Sequence, residues 1–145
     1  TSIKFKGRLE EIKTGGNLNK FSKNKIYVDI AHNENAARAL RNWINNSHSQ
    51  FHLIIGMMEE KKHFDFGSAL FKGSDKIKSV TLIDIPNTPG AISKENLKKK
   101  FSNLYKNIKT KENIFDAIKS LNTRLDDKIL ITGSAYLCGE VLNLN

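Results

Sequence analysis

The chain has 145 residues, 39% hydrophobic and 8% aromatic, enough for one α/β or α+β core and too few for two large domains. Lys plus Arg number 24 against 15 Asp plus Glu, a formal net charge of +9 that predicts an anionic partner. Of those 24 only Arg8, Arg38, Arg41 and Arg124 are arginine, and the lysines are scattered without interleaved aromatic residues, which argues against nucleic acid as that partner.

Phe5 to Ile12 is predicted as an antiparallel edge strand, Thr14-Gly15-Gly16-Asn17 as a turn, and residues 1–24 together as a hinge segment leading into the main sheet. Lys25 to Ile30 is a β-branched and aromatic run that predicts a strand. From Asn33 to Asn46, Ala36, Ala37, Leu40, Trp43 and Ile44 recur at helical spacing with Glu34, Arg38, Arg41 and Asn45 opposite them, which predicts an amphipathic helix. Phe51 to Gly56 reads as a buried strand, Phe64 to Phe71 as a short helix, and Ser79 to Ile85 as a third strand. After the breaks at Pro86 and Pro89-Gly90, Ser93 caps a helix with Leu97, Phe101 and Leu104 inward, so that Lys98-Lys99-Lys100 forms a solvated face. A short strand at Asn107 to Lys109 follows. Thr110 then precedes a helix carrying Ile114, Phe115, Ile118 and Leu121, and Lys128 to Thr132 is a strand feeding a last helix after Gly133. This alternation predicts an α/β fold: a Rossmann-like, mostly parallel sheet with helices on both faces.

The single cysteine, Cys138, excludes an internal disulfide and a Cys-based zinc site and fits a reducing compartment. The longest apolar run, Leu53 to Met58, is six residues, against ~20 for a bilayer span, and no charged-then-apolar signal opens the chain. A cytoplasmic protein without membrane contact is expected. Because the chain begins at Thr1 without a methionine, it is expected to be a segment of a longer protein.

In an open parallel sheet, ligands bind beyond the carboxyl ends of the strands. Three loops have that position. Asp29-Ile30-Ala31-His32-Asn33 gathers a carboxylate, an imidazole and an amide at a helix N-terminus, where backbone N–H groups favour anions. In Thr132-Gly133-Ser134-Ala135-Tyr136, Gly133 permits a close turn, and Ser134 can cap the next helix and donate its hydroxyl. Gly56 to Lys62 brings Lys61 to the same edge as a carboxylate-binding or electrophilic group. Capping alone accounts for Asp29, Asn33 and Ser134 equally well, and a solvated turn accounts for Lys61. No phosphate-cradling G-x-x-x-x-G-K-[ST] and no G-x-G-x-x-G occurs, so no nucleotide is held by this chain alone. His48, His52 and His63, the last in a charged turn, lack a zinc-binding context and read as surface or packing residues. Cys138 reads as a small buried hydrophobe.

Taken in order, Gly7-Arg8-Leu9-Glu10, Val28 to Asn33, Ile55 to Lys61, and Ile131 to Leu137 before Gly139-Glu140-Val141 resemble the C-terminal domain of folylpolyglutamate and dihydrofolate synthases. This is the glutamate-ligase domain of the Mur ligase superfamily. The resemblance implies one such domain over residues 1–145, with the ATP-binding domain that carries the phosphate loop and the magnesium ligands lying upstream of it. It implies an ATP-dependent amide-bond-forming ligase that joins L-glutamate to dihydropteroate or folate through an acyl phosphate, with ATP and Mg as cofactors and the isolated domain inactive. By that resemblance Arg8 reaches the ATP phosphates from the hinge, and Asp29 contacts the ribose or the hinge. His32 and Ser134 orient the incoming glutamate, and Asn33, Lys61, Gly133 and Tyr136 line its pocket. Two departures stand out: Glu34 follows His-Asn where the family has Pro, and Glu60-Lys61-Lys62 replaces Asp-Lys-Asp, a charge reversal at Lys62. A non-catalytic, degenerate ligase-like binding domain and a related Mur-type amino-acid ligase are the alternatives.

Overall fold

The computed structural model describes residues 8–13 and 15–145. Among them six strands form one sheet: β1 (Glu10–Glu11), β2 (Lys25–Asp29), β3 (Phe51–Ile55), β4 (Ile77–Leu82), β5 (Lys109–Thr110) and β6 (Lys128–Thr132). Five α-helices cover it: α1 (Glu34–Asn45), α2 (His63–Phe71), α3 (Lys94–Phe101), α4 (Ile114–Lys119) and α5 (Ala135–Leu144). The spatial order is β1-β2-β6-β3-β4-β5, with only the β1–β2 pair antiparallel. The α/β fold and the antiparallel edge strand are therefore as the sequence predicts. Phe5 to Gly7 of that edge strand, and Thr14 of the predicted turn, lie outside the described residues.

Strand alternation divides the core. Leu53, Ile55, Val80, Leu82 and Leu130 face Leu40, Ile44, Phe66, Leu70, Leu97 and Phe101 of α1, α2 and α3. Ile26, Val28, Ile54, Ile129 and Ile131 face Ala117 and Ile118 of α4 and Leu137 and Val141 of α5. All five residues of β3 are buried, as a central parallel strand requires. Helix starts follow from capping side chains: Asn33 Oδ1 accepts from Ala36 N at 2.9 Å, and Ser93 Oγ accepts from Asn96 N at 3.1 Å. Glu34 sits in the first turn of α1, where the helix dipole favours an acid, and pairs with Arg38 one turn on.

Four details depart from the sequence reading. β4 starts two residues before Ser79 and ends at Leu82, because Asp84 leaves the ladder to accept Lys94 N at 2.8 Å at the start of α3. Leu104, predicted in the α3 stripe, is buried in the turn after the helix, where its N–H reaches Phe101 O at 2.9 Å. Thr110 does not precede α4 directly; it pairs with Leu82 in β5, and Asn113 caps the helix by accepting from Asp116 N at 2.9 Å. His63 is not in a charged turn; it is the first residue of α2 and is 5% exposed.

Helices α2 and α3 approach closely at Gly67, where an added Cβ would lie 2.7 Å from the Phe101 ring. Alanine improves helix propensity by about 1 kcal/mol, while overpacking a core costs ~1–3 kcal/mol. Gly67→Ala is expected to destabilise on balance, read as a lower denaturation midpoint at unchanged slope.

Candidate functional site

The connections β2-α1-β3, β3-α2-β4 and β4-α3-β5 step across the sheet on one face, and α4 returns over the other face to insert β6 between β2 and β3. The loops leaving β2 and β3 therefore diverge from the loop leaving β6, which opens a crevice at their carboxyl ends. The backbone ties these three loops together. Gly133 N donates to Ala31 O at 3.1 Å, and Gly56 N donates to Thr132 O at 3.3 Å. Gly133 has φ +114°, and an added Cβ would stand 2.5 Å from Gly56 O.

Two adjoining clefts result. The first, about 330 Å3, is lined by Arg8, Asp29, His32 and Asn33 against an apolar wall of Ala36, Ala39 and Leu40. The second, about 290 Å3, is lined by His32, Lys61, Gly133, Ser134 and Tyr136, together with Met58 and Glu60. His32 belongs to both and forms the partition. Its Nδ1 is buried and has no hydrogen-bond partner among the described residues, a costly arrangement for a polar nitrogen unless a ligand completes it. All eight residues singled out from the sequence thus line the crevice. Met58 and Glu60 lie in the third loop, but nothing in their residue types marks them.

Asp29 Oδ2 accepts from Leu9 N at 3.0 Å and Oδ1 from Ala31 N at 2.8 Å, so one carboxylate holds the segment entering β1 and the loop leaving β2. Burial raises its pKa, against the lowering influence of those two amides and of Arg8. Ionised Asp29 is correspondingly costly, and its contribution to stability falls as pH rises through the carboxylate range. Ser134 Oγ accepts from Tyr136 N at 3.0 Å, capping α5 and leaving its proton free to donate into the second cleft. Lys61 has no carboxylate within salt-bridge distance among the described residues. Beneath the crevice, Cys138 Sγ–H points at Asp29 O, 3.3 Å away, and burial pushes the thiol up to about 12.

The third loop is clasped from its far side. Ile92 N donates to Met57 O at 3.0 Å and Glu59 N to Gly90 O at 2.7 Å, flanking a Met58–Ala91 antiparallel bridge. Lys94, at the base of the clasp, pairs with Asp84 at 3.1 Å and Glu95 at 3.2 Å, and the bond to Asp84 is the main reason its pKa is raised. A larger depression of about 520 Å3 between the end of α3 and β5, lined by Lys98, Tyr105 and Lys106, lies away from the crevice and touches none of its loops. Among the described residues no three His, Cys, Asp or Glu side chains gather as metal ligands. No helix among the described residues is long and apolar enough to cross a membrane.

No curated relative matches the chain significantly. Solved structures match it over nearly its whole length. A Mycobacterium tuberculosis folylpolyglutamate synthase complexed with ADP and AMPPCP superposes with TM-score 0.79 at 21% identity, covering 99% of this chain and 33% of that one. A Thermotoga maritima folylpolyglutamate synthase gives 0.77 at 23%, covering 98% and 32%. A bifunctional folylpolyglutamate synthase/dihydrofolate synthase from Yersinia pestis, complexed with AMPPNP and Mn ion, gives 0.76 at 17%, covering 97% and 31%. The chain spans about a third of the length of these proteins. The family model for the dihydrofolate synthetase C-terminal domain matches residues 12–144, and the chain therefore belongs to that family.

Proposed function

We propose that this chain is the C-terminal domain of an ATP-dependent ligase that joins L-glutamate to dihydropteroate or folate, acting in the cytoplasm beside an upstream ATP-binding domain. The observation that carries the reading is His32, which separates a cleft holding Arg8 and Asp29 from one holding Lys61 and Ser134. The reaction has two steps: ATP phosphorylates a carboxylate of the pterin substrate, then the amine of glutamate attacks the acyl phosphate and releases inorganic phosphate as the amide forms.

The first cleft suits the nucleotide: the Ala36, Ala39 and Leu40 wall offers apolar contact, and Arg8 supplies a guanidinium for phosphate oxygens. The second suits glutamate, whose two carboxylates need cations and N–H or O–H donors. Lys61 and the Ser134 hydroxyl provide these, and Tyr136 closes the rim. With both carboxylates fixed, the amine projects past His32 toward the acyl phosphate. The domain thus contributes orientation, while magnesium and most phosphate contacts fall to the upstream domain.

The test is ADP release by a full-length ligase carrying this chain as its C-terminal third, supplied with dihydropteroate or tetrahydrofolate plus glutamate. Turnover above background is expected, and none with either acceptor overturns the reading. His32→Ala is expected to lower that turnover about 100-fold, the scale of a misplaced reactant. An unchanged rate removes His32 from the site.

A further inference from the structure

His63, expected as a surface or packing residue, is buried at the head of α2 with its Nε2 2.9 Å from Met58 O. A carbonyl only accepts, so Nε2 carries the proton and donates. This bond closes a ring across residues 58–63, and within that ring lie Glu60 and Lys61, both of which line the second cleft. The far side of the loop is already fixed by Gly90, Ala91 and Ile92 through residues 57–59. Among the described residues, 60–62 have no backbone partner in the sheet or the clasp; the Lys62 carbonyl accepts from Phe66 N at 3.0 Å in the first turn of α2, and its side chain makes no cap. The imidazole therefore adds a second tie, beside the chain itself, between the clasped stretch and α2, with Lys61 between the two.

We propose that His63 is a positioning residue for the amino-acid substrate: through Met58 it holds the loop that presents Lys61 to a carboxylate. The assignment rests on reading the second cleft as the glutamate site. It makes His63 act on the amino acid and leaves the nucleotide cleft, which contains no part of this loop, unaffected.

Two amide variants differing by one methylene test it. In His63→Gln the side-chain nitrogen reaches about as far as Nε2 and can still donate to Met58 O; in His63→Asn it falls short. In the full-length ligase His63→Asn is expected to raise KM for glutamate at least tenfold, with kcat and KM for ATP changed less than twofold, and His63→Gln to restore glutamate KM to within threefold of the parent. Equal glutamate KM in the two variants, or a parallel rise in KM for ATP, overturns the proposal. A second readout uses the chain itself. Backbone 15N relaxation of residues 60–62 is expected to be rigid in the parent and in His63→Gln and mobile on the nanosecond scale in His63→Asn. Rigid amides in all three overturn the clamp whatever the enzyme assay gives, whereas a parent ligase inactive with glutamate, together with loosened amides in His63→Asn, rejects the glutamate reading and retains the clamp.

Discussion

Gly133→Ala is expected to lower the melting temperature by roughly 10 °C. Two costs combine at this position. The backbone is in the left-handed half of conformational space, with φ +114°, where a side chain costs ~1–2 kcal/mol. The new Cβ would also stand 2.5 Å from Gly56 O and 3.0 Å from Ile55 Cγ2, and neither atom is the end of a flexible chain, so two loops must separate at a further ~1–3 kcal/mol. About 3 kcal/mol in total converts to roughly that shift for a domain of this size. Gly73→Ala is the internal control: its φ is +70° and nothing lies within 4 Å of the added carbon, so it carries the conformational cost alone. Thermal unfolding followed by circular dichroism should show Gly133→Ala falling well below Gly73→Ala. Equal midpoints would mean that the close approach of the two loops is not a constraint on the fold.

The second large effect is expected at the opposite end of the sheet. Asp127 Oδ2 accepts from His52 Nε2 at 2.9 Å and from Arg124 N at 3.0 Å, while His52 Nδ1 meets Ser79 Oγ at 2.8 Å. Both His52 and Asp127 are almost fully buried, at 3% exposure each. Asn24 completes the cluster by donating to the carbonyls of Arg124 and Asp127. Asp127→Ala removes the acceptor and strands the imidazole and an amide in the interior, for an expected loss of about 3 kcal/mol at neutral pH. Burial alone would raise the carboxyl pKa, but the Arg124 amide, His52 and Lys78 outweigh it and hold Asp127 below its ordinary value of 3.8. A lowered folded pKa means that the ionised form stabilises the native state. That stabilisation is complete above the unfolded value and is lost as pH falls through the folded one. The parent should therefore show a steeper stability loss below pH ~3.8 than Asp127→Asn, measured as urea midpoints across the acid limb. Parallel limbs would remove Asp127 from the titration.

The mostly parallel sheet and its two helical layers were legible in the sequence wherever local signals agreed with long-range pairing; the strand order was not. β2, β3 and β6 are β-branched runs that remain strands because each is sandwiched between two layers, and Asn33, Ser93 and Ser134 cap helices as residues of their types do. β5 was displaced because it is an edge pair of two residues whose position is set by Thr81 and Leu82, some 28 residues earlier, and local propensity cannot register that. The crevice residues from Asp29 onward were legible because strand ends in a parallel sheet announce themselves, while Arg8 entered only through the family resemblance. Their grouping into two clefts about His32 was not, since it depends on how the loops leaving β2, β3 and β6 meet, as at Gly133 N–Ala31 O and Gly56 N–Thr132 O. The placement of His63 in a charged turn was misread for a related reason. A charged run Glu59-Glu60-Lys61-Lys62 looks like a solvated turn, and only the Met58 carbonyl, brought into place by the Ala91 bridge, gives the imidazole a buried partner.

The thiol of Cys138 has a practical consequence. It is the sole cysteine, it is 1% exposed, and at neutral pH it is held almost entirely as the unreactive protonated form. Alkylation therefore has to wait for α5 to lift from β2 and β6, and the labelling rate of one native side chain becomes a clock for the opening of the floor beneath the crevice, with no dye or engineered reporter introduced.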